Sequence, residues 1–297
     1  MRVRSFDFLH MQQQFKTIAI LGGGLLGGSI AMAARSLTPP PTTRLWARRQ
    51  ETATRARELG IEHATDDLAV AVANADLCIL CVPVGAMPKL LADAISVGLP
   101  DACIVTDVGS VKSCPHRILD PLMAGRTGHF IGSHPMAGSE RKGIEAIQPL
   151  LMQNAACILT NDGTAPHEES TRLEKFWQSL GCRTSWMEAA AHDERVARIS
   201  HLPHIVAACA TRIALRDPQE GAFGGGGLRD TTRIAGGDPE MWAEILTENR
   251  EALLGPLRET LADFSEILAL LEAGDQEAVR QWLDHARKLR AASPIAT

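Results

Sequence analysis

The apolar run KTIAIL at 16–21 passes directly into Gly22-Gly23-Gly24-Leu25-Leu26-Gly27, and a helical pattern follows to residue 35. A GxGxxG set between a strand and a helix is a strong constraint, because each glycine answers a separate steric demand. Gly22 permits the tight turn, Gly24 lets backbone approach a diphosphate, and Gly27 lets the helix lie close on the strand. The free amides and dipole at the helix N-terminus favour an anion there. Gly22, Gly24, Leu25, Leu26 and Gly27 are therefore candidate cofactor-binding positions. The competing reading, a purely structural glycine turn, is disfavoured by its place in a βαβ pattern.

The rest of the chain agrees with that start. Short apolar runs at 43–47, 76–82, 102–108, 129–133 and 156–160, with 183–187 as a candidate last one, alternate with helical stretches. Their lack of clean alternation suits strands covered on both faces, joined by right-handed crossovers. The expected fold class is α/β: an N-terminal Rossmann-type doubly wound parallel sheet over 16–187, then an all-α C-terminal domain over 188–297. Residues 1–15 are expected to be a loose N-terminal segment. In the helical half, Leu254, Leu257, Leu261, Phe264, Leu268 and Leu271 form an apolar stripe on one helix face. That stripe suits a core-facing helix or contact with a second subunit. Gly255-Pro256 is expected to kink or interrupt its start, and the glycines at 224–227 and 236–237 read as a loop over a cleft.

Composition excludes several function classes. With 297 residues, 45% hydrophobic and 22% charged, the chain has a normal globular balance, and its net charge of −5 gives no electrostatic reason to expect nucleic acid or an anionic membrane. No apolar stretch is long enough to span a bilayer. The seven cysteines are odd in number and scattered, as reduced cytoplasmic thiols are. Cys78 and Cys81 form a CxxC, but on a strand they point to opposite faces and do not share a metal or disulfide.

The second strand should end in an acid that grips a ribose 2′-hydroxyl if the cofactor is NAD. Here it ends Leu45-Trp46-Ala47-Arg48-Arg49-Gln50, with no carboxylate until Glu51. Arg48 and Arg49 suit a 2′-phosphate, which favours NADP over NAD without excluding NAD. The alternative is two solvated arginines at a strand end.

Further chemistry lies beyond the carboxyl ends of later strands, where open α/β sheets bind ligands. Gly109-Ser110 and Gly132-Ser133-His134 both occupy such positions. A histidine there can take a hydroxyl proton while hydride leaves the same carbon. GSVKS at 109–113 has Val111 where a phosphate loop needs glycine, which disfavours ATP hydrolysis. His201 and His204 share a helix face at a spacing compatible with metal, but no carboxylate or thiol pattern completes a ligand set, so no metal is expected.

Together, the glycine turn, Asp107-Val108-Gly109-Ser110-Val111-Lys112, Ser133-His134-Pro135-Met136-Ala137-Gly138-Ser139-Glu140, Ser200-His201-Leu202-Pro203-His204 and Arg229-Asp230-Thr231-Thr232-Arg233-Ile234-Ala235 resemble the prephenate/arogenate dehydrogenase family of tyrosine biosynthesis. The resemblance runs from about Lys16 to the last helices. It implies a nucleotide-binding domain, a helical dimerisation domain giving a homodimer, and a cleft for cofactor and substrate. By resemblance, His134 accepts the substrate hydroxyl proton and Ser110 hydrogen-bonds the hydroxyl or the nicotinamide. Arg233 binds a carboxylate, His204 with His201 faces the substrate side chain, Glu140 gates or supports the site, and Arg229 assists at the rim. Asp193 is a weaker candidate for orienting the His201/His204 segment. A satisfied core histidine at 134, a helix-capping Ser110 and surface charges at Arg229 and Arg233 are the competing readings.

The implied reaction is NAD(P)-dependent oxidative decarboxylation of prephenate to 4-hydroxyphenylpyruvate, with arogenate as the alternative substrate. A protonatable His204 would repel the ammonium of arogenate, which favours prephenate. Two rivals stand beside it. A β-hydroxyacid oxidoreductase needs a lysine in its helical half, and 188–277 contain none. A non-catalytic nucleotide-binding sensor would bind cofactor without turnover.

Overall fold

The computed structural model describes residues 15–139, 141–162 and 165–294. The elements of the first part are β1 (Thr17–Leu21), α1 (Leu25–Ala34), β2 (Thr42–Trp46), α2 (Gln50–Glu58), β3 (Ala64–Thr65), α3 (Leu68–Val72), β4 (Leu77–Leu80), α4 (Met87–Ser96) and β5 (Ile104–Asp107). They continue with α5 (Ser113–Met123), β6 (Phe130–Pro135), β7 (Ala156–Thr160), α6 (His167–Ser179) and β8 (Arg183–Trp186). Every expected strand is present. β3 is additional; at two residues it is too short to leave an apolar run in the sequence.

Among the described residues the strands form one sheet in the order β3-β2-β1-β4-β5-β6-β7-β8. The chain builds outward from β1 to β3, then returns to β4 on the other side of β1. The order therefore reverses between β1 and β4, where such sheets open a crevice for ligand. Leu21 is level with both Trp46 and Leu80, so the turn after β1 emerges at that crevice.

The parallel pattern holds through β6 and fails at one pair. β7 runs antiparallel to β6, with His134 opposite Ile158, and β8 is again parallel to β7. A parallel neighbour needs a long crossover to bring the chain back to the starting edge. Among the described residues between β6 and β7 a short 3-10 turn, Ile144–Ala146, is the only helical element, so the chain returns from the end it has reached.

Side-chain alternation divides the core into two layers. Ile18, Ile20, Leu45, Ile79, Ile104 and Ile131 bury on one face, while Ala19, Leu21, Cys78, Leu80 and Val105 bury on the other. Each fully buried Ile or Leu contributes about 1.5–3 kcal/mol. This two-sided burial explains the continuous apolar runs.

Beyond β8 the described residues are helical: α7 (Ala189–Val196), a π turn (Ala197–His201), α8 (Leu202–Ala214), α9 (Gly226–Thr232) and α10 (Pro239–Glu248). The glycine stretch at 224–227 is thus not wholly loop. Gly226 and Gly227 open α9, and glycine is least costly in a first turn, where few backbone bonds depend on it. Residues through Asn249 form one compact unit and those from Arg250 a second.

The second unit contains α11 (Arg250–Glu272) and α12 (Gln276–Ala292). α11 runs unbroken through Gly255-Pro256, contrary to the expected interruption. Pro256 lies in the second turn and removes a single amide donor. Leu254, Leu261, Phe264, Leu268 and Leu271 are 44–61% exposed, so within one chain this stripe is not core. Among the described residues no helix is long and apolar enough to cross a membrane.

Candidate active site

The three glycines of the first turn meet three different constraints. Gly22 has φ +140°, and a β-carbon there would collide with the Cys81 carbonyl on the adjoining strand end. A β-carbon on Gly27 would collide with the Gly22 carbonyl. Gly24 faces open space, with nothing within 4 Å of an added β-carbon. It is also the N-cap of α1, whose first helical bond runs from Gly28 N–H to the Gly24 carbonyl at 2.9 Å. The amides of Leu25, Leu26 and Gly27 consequently lack helical acceptors. A hollow without a side chain, fronted by unpaired amides, fits the diphosphate of a dinucleotide. Arg48 and Arg49 follow β2 directly and are exposed, with Arg49 the N-cap of α2.

His134 sits near the end of β6, and the strand beneath it is pinned by polar contacts. Ser133 N–H donates to Asp107 Oδ1 at 3.2 Å, and its Oγ meets Thr106 Oγ1 at 2.7 Å and accepts from Trp177 Nε1 at 2.9 Å. His134 Nδ1 lies 2.8 Å from His192 Nε2, and His192 Nδ1 lies 2.8 Å from Asp193 Oδ1. Asp193 also accepts from the backbone amides of Lys112 (2.8 Å) and Ser113 (2.9 Å) at the start of α5. Both histidines and Asp193 are buried.

This chain assigns its own protons. The Asp193 carboxylate only accepts, so His192 carries its hydrogen on Nδ1 and presents a lone pair at Nε2. His134 must then donate from Nδ1. Its Nε2, which has no partner among the described residues, is left as a proton acceptor. Burial lowers the His134 pKa well below the ordinary imidazole value, and His192, Lys112 and His201 add to the effect. Burial likewise lowers His192 against the pull of Asp193. Burial works against ionisation of Asp193, but the bonds from His192 and the α5 amides outweigh it and hold its pKa below the usual value. The result is a neutral base backed by a fixed carboxylate.

Ser110 follows β5 and is half-buried. It does not cap a helix: α5 starts at Ser113, and the Asp193 carboxylate holds its first amides. Asp193 therefore orients His192 and α5, rather than the His201/His204 segment as expected. His201 is held by Asn249, whose Nδ2 donates to the Asp193 carbonyl at 2.9 Å and lies 3.0 Å from His201 Nδ1. With that amide orientation, His201 carries its hydrogen on Nε2. Burial pushes the His201 pKa down to about 4, with Asp193 opposing.

His204, one turn further along α8, stacks on Trp242 of α10 with ring centroids 3.5 Å apart and planes at 12°. Burial lowers the His204 pKa, so the ring is neutral near pH 7, and the expected repulsion of an ammonium loses its basis. His204 Nδ1 is buried without a protein partner among the described residues, a state that water or ligand relieves.

Arg233 opens a 3-10 turn, Arg233–Gly236, packed on α8, the helix that carries His204. Its residue is exposed. Arg229 is exposed on α9 and pairs with its neighbour Asp230 at 3.3 Å. Glu140 lies outside the described residues.

The model of the prephenate dehydrogenase nucleotide-binding domain matches residues 30–186, and that of the prephenate dehydrogenase dimerization domain matches 188–285. The chain belongs to the prephenate dehydrogenase family. It is 34% identical to cyclohexadienyl dehydrogenase of Zymomonas mobilis, covering 94% of this chain and 96% of that one. It is 32% identical to prephenate dehydrogenase of Lactococcus lactis, covering 94% and 78%. Among solved structures it resembles Aquifex aeolicus prephenate dehydrogenase in complex with hydroxyphenyl propionate and NAD+, at TM-score 0.83, 27% identity and 93% and 97% coverage. Synechocystis arogenate dehydrogenase follows at TM-score 0.76, 29% identity and 93% and 99% coverage. Membership makes the chain a nicotinamide-dependent oxidoreductase with a dimerization domain.

Sequence reasoning missed His192, Asn249 and Trp242 as site components. His192 adjoins Asp193, which hinted at a pair, but its contact with His134 spans 58 positions of chain.

The glycine geometry makes a paired prediction. Gly27→Ala should lower the thermal midpoint, whereas Gly24→Ala should leave it unchanged and weaken dinucleotide binding by about tenfold or more, ~1.4 kcal/mol. Calorimetry and a cofactor titration separate the two effects; equal affinity in Gly24→Ala and wild type would detach this turn from the cofactor.

The buried histidines also set the acid stability. A histidine whose folded pKa is depressed binds fewer protons folded than unfolded, so its stabilisation is present above the ordinary value of 6.5 and is lost as pH falls toward about 4 for His201. Urea midpoints should fall steadily across that interval, and His201→Gln should flatten the slope. An identical slope in the variant would mean that His201 titrates alike folded and unfolded.

Proposed function

We propose that this protein catalyses the NAD(P)-dependent oxidative decarboxylation of prephenate to 4-hydroxyphenylpyruvate. The observation that carries the reading is the Asp193–His192–His134 chain, which leaves one neutral imidazole nitrogen as proton acceptor near the carboxyl end of β6. Lactococcus lactis and Bacillus subtilis relatives bearing the name prephenate dehydrogenase support the substrate.

In this mechanism His134 Nε2 takes the ring hydroxyl proton as the carbinol C–H bond breaks. A nicotinamide cofactor held at the glycine turn would supply the hydride acceptor. The C–CO2 bond then breaks, its electron pair restores the aromatic ring, and the phenolic oxygen regains a proton. Ser110 hydrogen-bonds the hydroxyl and helps align it. Arg233 binds a carboxylate through its planar fork, which suits that group better than a lysine point charge. His201 and His204 meet the substrate side chain, the first as an N–H donor. Glu140 gates or supports the site, and Arg229 assists at the rim. The protein's task is chiefly to orient the ring and remove one proton, because aromatisation supplies the driving force.

Gly22, Gly24, Leu25, Leu26 and Gly27 would hold the diphosphate, with Arg48 and Arg49 on a 2′-phosphate, so NADP is the favoured cofactor. Residues 16–187 form the nucleotide-binding domain and 188–297 the substrate and dimerisation domain. The exposed apolar stripe of α11 meets a second copy of the chain in a homodimer. The cysteines among the described residues are free thiols, in keeping with a cytoplasmic location. Arogenate is the second reading: a neutral His204 does not repel an ammonium, and the structural likeness to an arogenate dehydrogenase supports it.

The deciding experiment crosses prephenate or arogenate with NADP or NAD and follows reduced nicotinamide by absorbance. Prephenate with NADP should give the highest kcat/KM, and exchanging Arg48 and Arg49 for neutral residues should shift the cofactor ratio toward NAD. An unmoved ratio would remove both arginines from the phosphate; absence of turnover in all four combinations would leave a sensor.

The proton chain is tested separately. His134→Asn should lose at least ~100-fold in kcat while keeping cofactor affinity. Asp193→Asn should also lose kcat, because an amide cannot accept from all three donors that meet the carboxylate. Wild-type kcat in either variant would break the proposed relay.

A further inference from the structure

Lys112 is an unusual residue for its position. Its side chain is wholly inaccessible, as is that of Asp107, and its Nζ lies 2.5 Å from Asp107 Oδ2. Asp107 Oδ2 accepts from Gly109 N–H at 2.8 Å, and Asp107 Oδ1 accepts from Ser133 N–H at 3.2 Å. Replacing a buried ion pair by apolar residues of similar volume is often neutral or stabilising, so a structural role alone is a weak account of this one. No solvent reaches the ammonium, which rules out a surface anion as its partner.

The pair instead touches the proton chain at two points. The Lys112 backbone amide donates to Asp193 Oδ1 at 2.8 Å, the far end of that chain. At the near end, Asp107 holds the amide of Ser133, the residue before His134. The lysine stem crosses beneath β6 at Gly132, where an added β-carbon would lie 2.8 Å from Lys112 Cδ. Gly132 and His134 are two apart on a strand and so share a face. The ammonium stem therefore runs along the face from which His134 projects.

Resting on the functional reading above, we propose that Lys112 is a positioning residue for the reaction: its buried ammonium, locked on Asp107 under β6, keeps the His134 imidazole uncharged and ready to receive the substrate proton. The physical basis is a fixed positive charge in a low-dielectric setting, which disfavours a second cation nearby. Lys112 lowers the pKa of both His134 and His192, in each case behind the larger effect of burial. The other titratable groups around it are Asp107 from β5, His116 from α5, Cys157 from β7, Asp193 from α7 and His201 from the π turn. Of these, His116 is paired with Asp120 and Thr160, and burial keeps the Cys157 thiol protonated.

The test follows the His134 imidazole by NMR in the full-length protein without substrate or cofactor, beside the pH profile of kcat/KM. In wild type, His134 should titrate below the ordinary value near 6.5. In Lys112→Met its titration and the acid limb of kcat/KM should both move up by about one pH unit, roughly a tenfold loss of activity on that limb at low pH. Lys112→Arg should restore them. If Lys112→Met does not fold, the charge-neutral double variant Asp107→Asn/Lys112→Met, which leaves no orphaned carboxylate, should show a smaller movement in the same upward direction.

Three results would overturn the proposal: a wild-type His134 titrating at the ordinary value, an unmoved titration in whichever variant folds, or a uniform drop in kcat/KM without displacement of its acid limb. The imidazole titration needs no turnover. A wild type inert toward prephenate and arogenate thus defeats the functional reading by a separate observation.

Discussion

The Asp193 carboxylate is the fixed point of this molecule's chemistry, because it accepts hydrogen bonds and cannot donate them. It takes two backbone amides at the head of α5 and the Nδ1 hydrogen of His192. From that single asymmetry the orientation of two imidazoles follows, and a lone pair is delivered at His134. A residue capable of donating at position 193 would leave the order of hydrogens along the chain undetermined. The same carboxylate joins α7 to the head of α5 in the sheet domain.

Burial gives that arrangement its force. In water an imidazole near pH 7 is divided between two charge states, and a relay of two would be heterogeneous. Here His134, His192 and His201 all have lowered pKa values, chiefly through loss of solvent. The site contains several histidines yet carries little positive charge from them. Its formal charges are fixed instead on Asp107, Lys112 and Asp193, each with a partner. Such a site is costly to protonate, which links the readiness of the base to loss of stability in acid.

The glycine turn after β1 and His134 on β6 lie toward the carboxyl ends of parallel strands in one sheet for a topological reason. The strand order reverses between β1 and β4, which opens the crevice beside Gly22, and β5 and β6 follow in the same direction with Ser110 and His134 near their ends. The antiparallel return of β7 then pairs with β6 and sets Ile158 opposite His134. A π turn at Ala197–His201 joins α7 to α8, and His201 at its end meets Asn249 across 48 positions of chain. Family membership is thus matched by a local geometry suited to removing a proton while hydride departs.

Much of this was legible in the residues alone. Apolar runs located the strands because a sheet buried on both faces demands continuous apolar character, and GxGxxG located the tight turn before α1 because its steric needs are local. His134, Ser110, His201 and His204 could be named from short motifs. What neighbouring residues could not reveal was pairing across the chain: which partner fixes each imidazole, that Asp193 serves His192 and not the next helix, that Lys112 lies buried beneath β6, or that β7 reverses. Local backbone demands are written in adjacent residues, where sterics and periodicity act. Hydrogen-bond partners and the dielectric around a charge exist only after distant segments have packed, so the protonation of the site was decided by the tertiary fold.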